Sequence, residues 1–519
     1  MRARVKYEHS KVMMTMSEDK TREQKRQELI SFMQEKGFVW GPSPEIYGGM
    51  AGFYTYAPLG KLLKNKVEKV IRNVFRHNDF WEVECPTVMQ REVWEASGHL
   101  GGFSDPVIRT KSGASYRVDN LLEENFPDEQ IPKDDDGMLD MIQKKGLKAP
   151  NGDGFIMEIK RHNLMMKTTI GMSTEAYNRP ETATTTYLPF IRYVDHFRKK
   201  LPFGVFQIGK AYRNEISPRQ YMLRLREFTQ AEAQLFIFKE DKDKFERFDT
   251  VSDSKMPFWT AKAQEEGKKV ENMTLQEAYE KKHVKNKAYA FCLNMAYNLF
   301  VSMGIPEERI RLRQHISDEK AFYADDAWDI EIDMNTFGWT EVCGVHDRTD
   351  YDLTKHSEHS GKDLSALTDE SKKERPHILE IAFGVDRPLF ALMDIFYTKR
   401  EKEEGKSTFS IPYKMAPIDV AVFPLVKKGG LKEKAHEIHE ELSDEMLCVF
   451  DASGSIGRRY QRVAEQGVPY AVTIDFDSLE NEDCTVRDRD TEEQKRIKLS
   501  DLKAELKALL AGKKSFSDL

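Results

Sequence analysis

Two alternating runs, Gly204–Glu215 (GVFQIGKAYRNE) and Met222–Glu232 (MLRLREFTQAE), flank the turn-forming Ser217-Pro218-Arg219. That pattern predicts a β-hairpin. Alternate residues of a strand share a face. Arg213 and Glu215 then share one face of the first strand. Arg224 and Arg226 share one face of the second, with Phe228 following. Guanidinium forks grip phosphate and a ring stacks on a base, so such a face suits a nucleotide. Taken alone, the hairpin reads more readily as a half-solvated surface laced with ion pairs; the rest of the chain reverses that preference.

From about Thr21 to Arg400, strand and helix patterns mix as in an α+β domain with an antiparallel sheet. Residues 1–16 are basic and Met-rich with no signal-type apolar run, and read as a disordered tail ahead of a start at Met16. Two stretches interrupt the domain. The one near 119–155 is polar and loop-like (PKDDDG, PNGDG); the one near 240–286 is helical and charged (KEDKDKFERFD, QEEGKKVEN). Both read as surface insertions with solvated charge. A charged stretch, Arg400 to Pro417, reads as a linker, so the first domain is placed at 17–405. Beyond it, over 416–519, the buried-strand patterns IDVAVFPL, EMLCVFD and YAVTIDF alternate with helical KEKAHEIHEELSDE and SIGRRYQRVAEQG. That alternation predicts a small α/β domain with a mostly parallel or mixed sheet.

A chain of 519 residues exceeds one core, in keeping with this split. Hydrophobic content of 39% and charged content of 32% fit a soluble globular protein, and no apolar run reaches the length of a membrane span. The five cysteines, 85, 292, 343, 448 and 484, form no CxxC pair, which argues against a disulfide scaffold and a thiolate zinc site. A net charge of −7 means that any RNA partner must meet local basic patches.

The segment AYRNEISPRQYMLRLREFTQAE resembles motif 2 of class II aminoacyl-tRNA synthetases, the glycine-activating branch in particular. EIYGGMAGFYTYAPLG (Glu45 to Gly60) is similar to that branch's glycine-rich entry segment, with Ala57 where relatives more often have Gly. KVEKVIRNVFRHNDFWEVECPTVM resembles motif 1, a long helix then a strand, with Pro86 as its marker. RPETA (Arg179 to Ala183) and WTEVCGVHDRTDYDL (Trp339 to Leu353) resemble two further signatures, and HILEIAFGVDR (His377 to Arg387) resembles motif 3. GRRYQR (Gly457 to Arg462) and VTIDFDSLENEDCTVRDRDTEEQ are similar to the anticodon-binding domain. Several motifs in the right order are far more specific than any one of them. The implied architecture is a class II catalytic domain with an antiparallel sheet, followed by a small α/β anticodon-binding domain.

The resemblance implies ATP-dependent ligation of glycine to tRNA(Gly) through a glycyl-adenylate. It places Arg213 on the α-phosphate and substrate carboxylate, and Arg387 on the γ-phosphate, as the catalytic pair. Glu215 is matched to the adenine amino group, Phe228 to adenine stacking, and Asn214, Arg224 and Leu225 to the walls of the ATP site. Glu341 and Val342 match an ATP-contacting pair, with Mg²⁺ entering alongside ATP, and Gly384 admits the nucleotide to the backbone. Glu181 and Glu232 are matched to the glycine ammonium, Glu380, Ile381 and Ala382 to the pocket, and Arg117 to the glycine carboxylate. Arg458, Arg459, Tyr460 and Arg462 are matched to tRNA contact. Motif 1 implies a homodimer. The compartment expected is the cytoplasm, with no membrane partner.

Three departures bear on these expectations. Where some relatives carry cysteine pairs, this chain has TKSGASYR, so no zinc is expected. After RPETA, Thr184, Thr185 and Thr186 replace the usual Gln-Gly-hydrophobic. After Glu380, Ile381 and Ala382 replace Pro-Ser, removing a pocket hydroxyl that Thr184 or Thr185 would have to supply. Two other readings stay open at this point: the same fold activating another small amino acid such as alanine, and a non-catalytic, synthetase-like nucleic-acid-binding subunit.

Overall fold

The structure is a computed structural model describing residues 21–126, 129–216, 218, 220–317, 319–320, 324–399 and 407–519. The tail expected at 1–16, Ser217 and Arg219 of the expected turn, and 400–406 of the expected linker lie outside these residues.

Helix α1 (Pro58–His77) begins with Pro at its first turn, where a missing N–H costs nothing. Leu63, Val67, Ile71 and Phe75 repeat every four residues and are fully buried. The helix start packs so closely on the chain before it that a Cβ at Gly60 would lie 1.8 Å from the carbonyl oxygen of Phe38. Only glycine fits this approach.

Helix α1 leads into β1 (Phe80–Glu82), the edge of a nine-stranded sheet. The other strands are β2 (Phe203–Tyr212), β3 (Glu227–Ile237), β4 (Lys255–Trp259), β5 (Glu271–Thr274), β6 (Ile310–Gln314), β7 (Ala327–Met334), β8 (Gly338–Asp347) and β9 (His377–Gly384). Their order is β5-β4-β6-β7-β8-β9-β3-β2-β1. Six of the eight pairings are antiparallel; β2–β1 and β4–β6 are parallel. Along β3, Ala231, Ala233 and Leu235 enter the main core while Gln230 and Glu232 face the opposite side. Helices α2 (Lys287–Met303) and α3 (Asp386–Phe396) contribute their apolar residues to that core.

The hairpin differs from expectation at its tip. The strands end at Tyr212 and start again only at Glu227, and Tyr221–Leu223 form a buried 3-10 turn. Arg226 is drawn away from Arg224: its Nε and Nη2 donate to the Glu215 carbonyl and its Nη1 to that of Ala51. The two arginines therefore do not share a strand face.

The stretch near 119–155 is more ordered than its polarity implies. Helices Val118–Asn125 and Asp135–Lys145 bury Leu121, Leu122, Met138 and Ile142 with Ile108 of a three-stranded sheet. The stretch near 240–286 is not a helical surface insertion. It supplies β4 and β5, whose Met256, Phe258 and Met273 reach the core beneath a charged exterior.

The C-terminal sheet runs Cys448–Phe450, Val420–Pro424, Tyr470–Ile474, Asp483–Asp488, Gln494–Lys498. Its first two pairings are parallel and its last two antiparallel. One side of this unit has its own core around Val422, Ile438, Val472 and Leu506. The other side continues the main core: Phe409, Ile411, Ala421, Phe423, Val463 and Val468 belong to the same buried cluster as Phe32 and Phe38. Lys36 pairs with Glu465 at 2.6 Å and Lys66 with Asp419 at 2.8 Å across the same junction. Even the expected linker is partly structured, since Ser407–Phe409 pairs with Tyr397–Lys399.

Candidate active site

The polar face of β8, β9 and β3 floors a cleft of about 500 Å³. Register determines what faces it. Ala382 lies between Gly344 and Glu232, and Glu380 between His346 and Gln234. The smallest residues of the floor thus stand beside its carboxylates. A Cβ at Gly344 would lie 2.6 Å from His346 Cε1, so nothing larger than glycine fits there without displacing the imidazole.

Three carboxylates, Glu181, Glu232 and Glu380, converge at this end. Glu232 is fully buried and accepts from Thr182 Oγ1 at 2.8 Å and Gln234 Nε2 at 3.0 Å. Burial, then the charges of Glu380 and Glu181, push it well above the usual carboxylate range. Glu380 is buried too, but Arg348 Nη1 donates to it at 3.1 Å and His346 Nδ1 lies at 3.1 Å. Burial raises Glu380, yet Arg348 and then His346 outweigh it and hold the group low. Burial likewise acts against ionised Glu181, but His99, Arg348 and Arg213 prevail and hold it far below the usual range. Neighbouring cations thus favour the ionised form at Glu181 and Glu380, whereas burial and the two other carboxylates disfavour it at Glu232. Arg348 is itself fixed by Asp352, through Nε at 2.6 Å and Nη2 at 2.9 Å.

The threonine run packs behind this end. Thr184 Oγ1 lies 3.2 Å from Glu181 Oε1 and 3.1 Å from the Tyr187 hydroxyl. Thr185 and Thr186 turn inward instead, each donating to the Thr182 carbonyl. All three are fully buried.

Arginines occupy the other end. Arg213 follows β2; its Nε donates to the Pro180 carbonyl at 3.1 Å, and its guanidinium lies 5.3 Å from the Phe228 ring centroid. Burial lowers its pKa. Arg387, at the start of α3, donates to the Glu341 carbonyl at 2.8 Å and pairs with its carboxylate at 3.1 Å. Arg224 makes no hydrogen bond or ion pair among the described residues. A Cβ at Gly384 would meet nothing within 4 Å, so the cleft is open above that backbone.

Of the residues singled out from the sequence, Arg117, Glu181, Arg213, Glu215, Arg224, Leu225, Phe228 and Glu232 line this cleft. Glu341, Val342, Glu380, Ala382, Gly384 and Arg387 line it as well. Two do not. Asn214 is held by its backbone, its N–H donating to the Leu164 carbonyl at 2.8 Å and its carbonyl lying 2.9 Å from His162 Nε2. Ile381 points to the opposite sheet face and is 1% exposed, in the core. Arg117 lines the rim, but Asp119 engages its Nε and Nη2 at 2.7–2.9 Å and Asp105 its Nη1 at 3.3 Å.

Sequence reading passed over Gln230, His346 and Arg348. Alternation along VCGVHDR was the available signal, because Val342, Gly344 and His346 share the cleft face. Asp386 also went unnoticed. It accepts from the Thr229 N–H at 2.9 Å, from the Tyr56 hydroxyl and from Lys64 at 3.5 Å, tying the entry segment and α1 to the residue beside Arg387.

In the C-terminal unit, Arg458 and Arg462 are exposed, and Tyr460 is half-buried with Arg487 4.7 Å from its ring centroid. Arg462 pairs with Asp451. Arg459 departs from the expectation of tRNA contact: it is 2% exposed and its guanidinium is spent on the Pro424, Leu425 and Asp451 carbonyls. It holds helix Ile456–Glu465 to the sheet and presents nothing outward.

Comparison with known proteins places this geometry. Residues 170–396 match the tRNA synthetase class II core domain (G, H, P, S and T), and residues 419–509 match the anticodon binding domain. The glycine–tRNA ligase of Pyrococcus furiosus is 37% identical over 93% of this chain and 99% of its own length. That of Methanococcus maripaludis is 34% identical over 92% of this chain and 98% of its own. Among solved structures, Giardia lamblia prolyl-tRNA synthetase in complex with prolyl-adenylate superposes with a TM-score of 0.60 at 15% identity, covering 95% of this chain and 81% of that one. At that identity the likeness is one of fold.

Proposed function

Because the chain belongs to the glycine–tRNA ligase family of class II synthetases, we infer that this one cleft carries both steps of glycyl-tRNA formation. The protein ligates glycine to tRNA at the expense of ATP. In the first step a glycine carboxylate oxygen attacks the α-phosphorus and pyrophosphate leaves. In the second, a hydroxyl of the terminal tRNA ribose attacks the glycyl carbonyl and AMP leaves. The observation that carries this reading is the polarity of the cleft, with three carboxylates at one end and Arg213, Arg224 and Arg387 at the other.

Arg213 takes the α-phosphate and the glycine carboxylate, neutralising charge that grows in the transition state. Phe228 stacks on adenine, Glu215 accepts from its amino group, and the Leu225 backbone with Arg224 closes the nucleotide wall. Arg387 leaves its contact with Glu341 to hold the γ-phosphate, next to Gly384 and Val342. Glu341, an exposed carboxylate of the cleft, would hold a Mg²⁺ brought in by ATP, which would supply charge neutralisation on the phosphates. Asn214 acts only by fixing the loop that carries Arg213 and Glu215.

Glu181 and Glu232 bind the glycine ammonium, with Glu380 completing the negative end. Gly344 and Ala382 leave space for a hydrogen on Cα. Arg117 reaches the glycine carboxylate by exchanging an aspartate partner for it. In the C-terminal unit, Arg458, Tyr460 and Arg462 face tRNA(Gly). A homodimer formed around α1 and β1 is supported by the unpaired outer edge of β1 and by Trp81, which is 59% exposed there. Cytoplasmic location is supported by five free cysteines; no helix among the described residues is long and apolar enough to cross a membrane.

Pyrophosphate exchange with each amino acid in turn tests the assignment. Glycine-dependent exchange is expected, and alanine exchanging as fast as glycine would overturn it.

A further inference from the structure

His315, just beyond β6, Asp329 of β7 and His346 of β8 bring their ligand atoms within 4.8 Å of one another. His346 stands opposite Ala327, two residues from Asp329, so the two are diagonal neighbours on adjacent strands. A His315 nitrogen, Nε2, lies 2.8 Å from Asp329 Oδ2, and the two imidazoles meet edge to face with centroids 5.9 Å apart. Asp329 is buried and both histidines are partly so.

The geometry points to a divalent-cation site here, of the two-imidazole, one-carboxylate kind that suits zinc and neighbouring first-row metals. Zinc bonds of about 2.0–2.2 Å place ligand atoms roughly 3–3.5 Å apart. The set reaches that spacing by closing its widest gap by about an ångström and opening the His315–Asp329 contact by a few tenths. His346 already has the orienting partner that metal-bound histidines use, a carboxylate on its other nitrogen: Nδ1 lies 3.1 Å from Glu380 Oε1. His315 Nδ1 is buried with no hydrogen-bond partner among the described residues, so turning this ring onto a cation sacrifices no bond described there.

Charge balance supports the same conclusion. Asp329 and Glu319 face one cation, Arg313, at 3.9 Å and 2.7 Å. Glu380 and Asp352 face one cation, Arg348, at 3.1 Å and 2.6 Å. Within each of these sets the carboxylates outnumber the guanidinium, and the imidazoles lie between the two sets, a setting that favours an added cation. The cysteine spacing that excludes a thiolate site has no bearing on this one. A metal here is one imidazole removed from Glu380, so its role is to orient that carboxylate and not to touch ATP.

Metal binding is measured directly, independently of glycine activation. Chelator-stripped full-length protein is titrated calorimetrically with Zn²⁺, and with Co²⁺ read by its visible absorption. A single equivalent per chain is expected. His315→Gln and Asp329→Asn should each abolish it, and Glu380→Gln should weaken it about 10–100-fold, as loss of an orienting partner does. X-ray absorption of the zinc-loaded wild-type protein should show imidazole and no sulfur, which tests the assignment even if a substitution unfolds the chain. No stoichiometric uptake by wild-type protein, undiminished uptake by folded His315→Gln, or sulfur ligation would each overturn the proposal.

Discussion

The hydroxyl of Thr184 donates to Glu181 Oε1 across 3.2 Å from behind the wall of the cleft. Thr184 is a positioning residue: it acts through Glu181. Thr184→Val keeps shape and removes the donor, a loss of about 1.5 kcal/mol for a bond to a charged acceptor. The KM for glycine should rise roughly tenfold with kcat and the KM for ATP little changed, and Thr184→Ser should restore it. Equal loss in all three parameters would mean a packing defect.

Glycine binding should release a proton. Glu232 is held high in the free protein by burial and by Glu380 and Glu181. An ammonium beside it favours the carboxylate and lowers its pKa. Affinity then rises with pH between the pKa of Glu232 in the complex and its raised pKa in the free protein, and binding within that interval releases a proton. Calorimetry in two buffers of different ionisation enthalpy should report about one proton released per glycine, and Glu232→Gln should abolish that release. Buffer-independent heat with wild-type protein would contradict it.

Arg213→Ala and Arg387→Ala should each slow pyrophosphate exchange by about 10²–10³, the usual effect of removing one preorganised charge-stabilising donor. The folded state should survive, because each side chain makes only one or two hydrogen bonds among the described residues. Wild-type exchange by either variant would remove that arginine from the mechanism.

The two neighbouring arginines of the C-terminal helix should separate cleanly. Arg458→Ala leaves an exposed position and should reduce tRNA charging with exchange unaffected. Arg459→Ala strips one buried and two part-buried carbonyls of a donor and should cost ~3 kcal/mol, read as a lower thermal midpoint. If Arg459→Ala melts like the wild type while charging is lost, the orientation described for that side chain is wrong.

Residues whose type alone carries chemistry were legible in the sequence: Arg213, Arg387 and the three glutamates stand in one cleft. What escaped was context. Arg459 carries the same charge as Arg458, and only a helix turning on its sheet decides which points outward. The charged exterior of 240–286 hid Met256, Phe258 and Met273, because an edge strand buries one face and periodicity is short there. Arg348 lay inside a recognised signature with its partner Asp352 four residues on, yet its other partner, Glu380, comes from another strand. Spacing in sequence does not record such a meeting.

Phe409, Ile411, Phe423 and Val463 weld the C-terminal unit to the body that holds the cleft. Burying side chains of this size stabilises by roughly 1.5–3 kcal/mol each, so parting the halves would be costly. An interface of this apolar kind resists hinge motion. A tRNA that reaches both the cleft and the C-terminal unit would then meet two surfaces held at one separation, so its own span is expected to count as well as its bases.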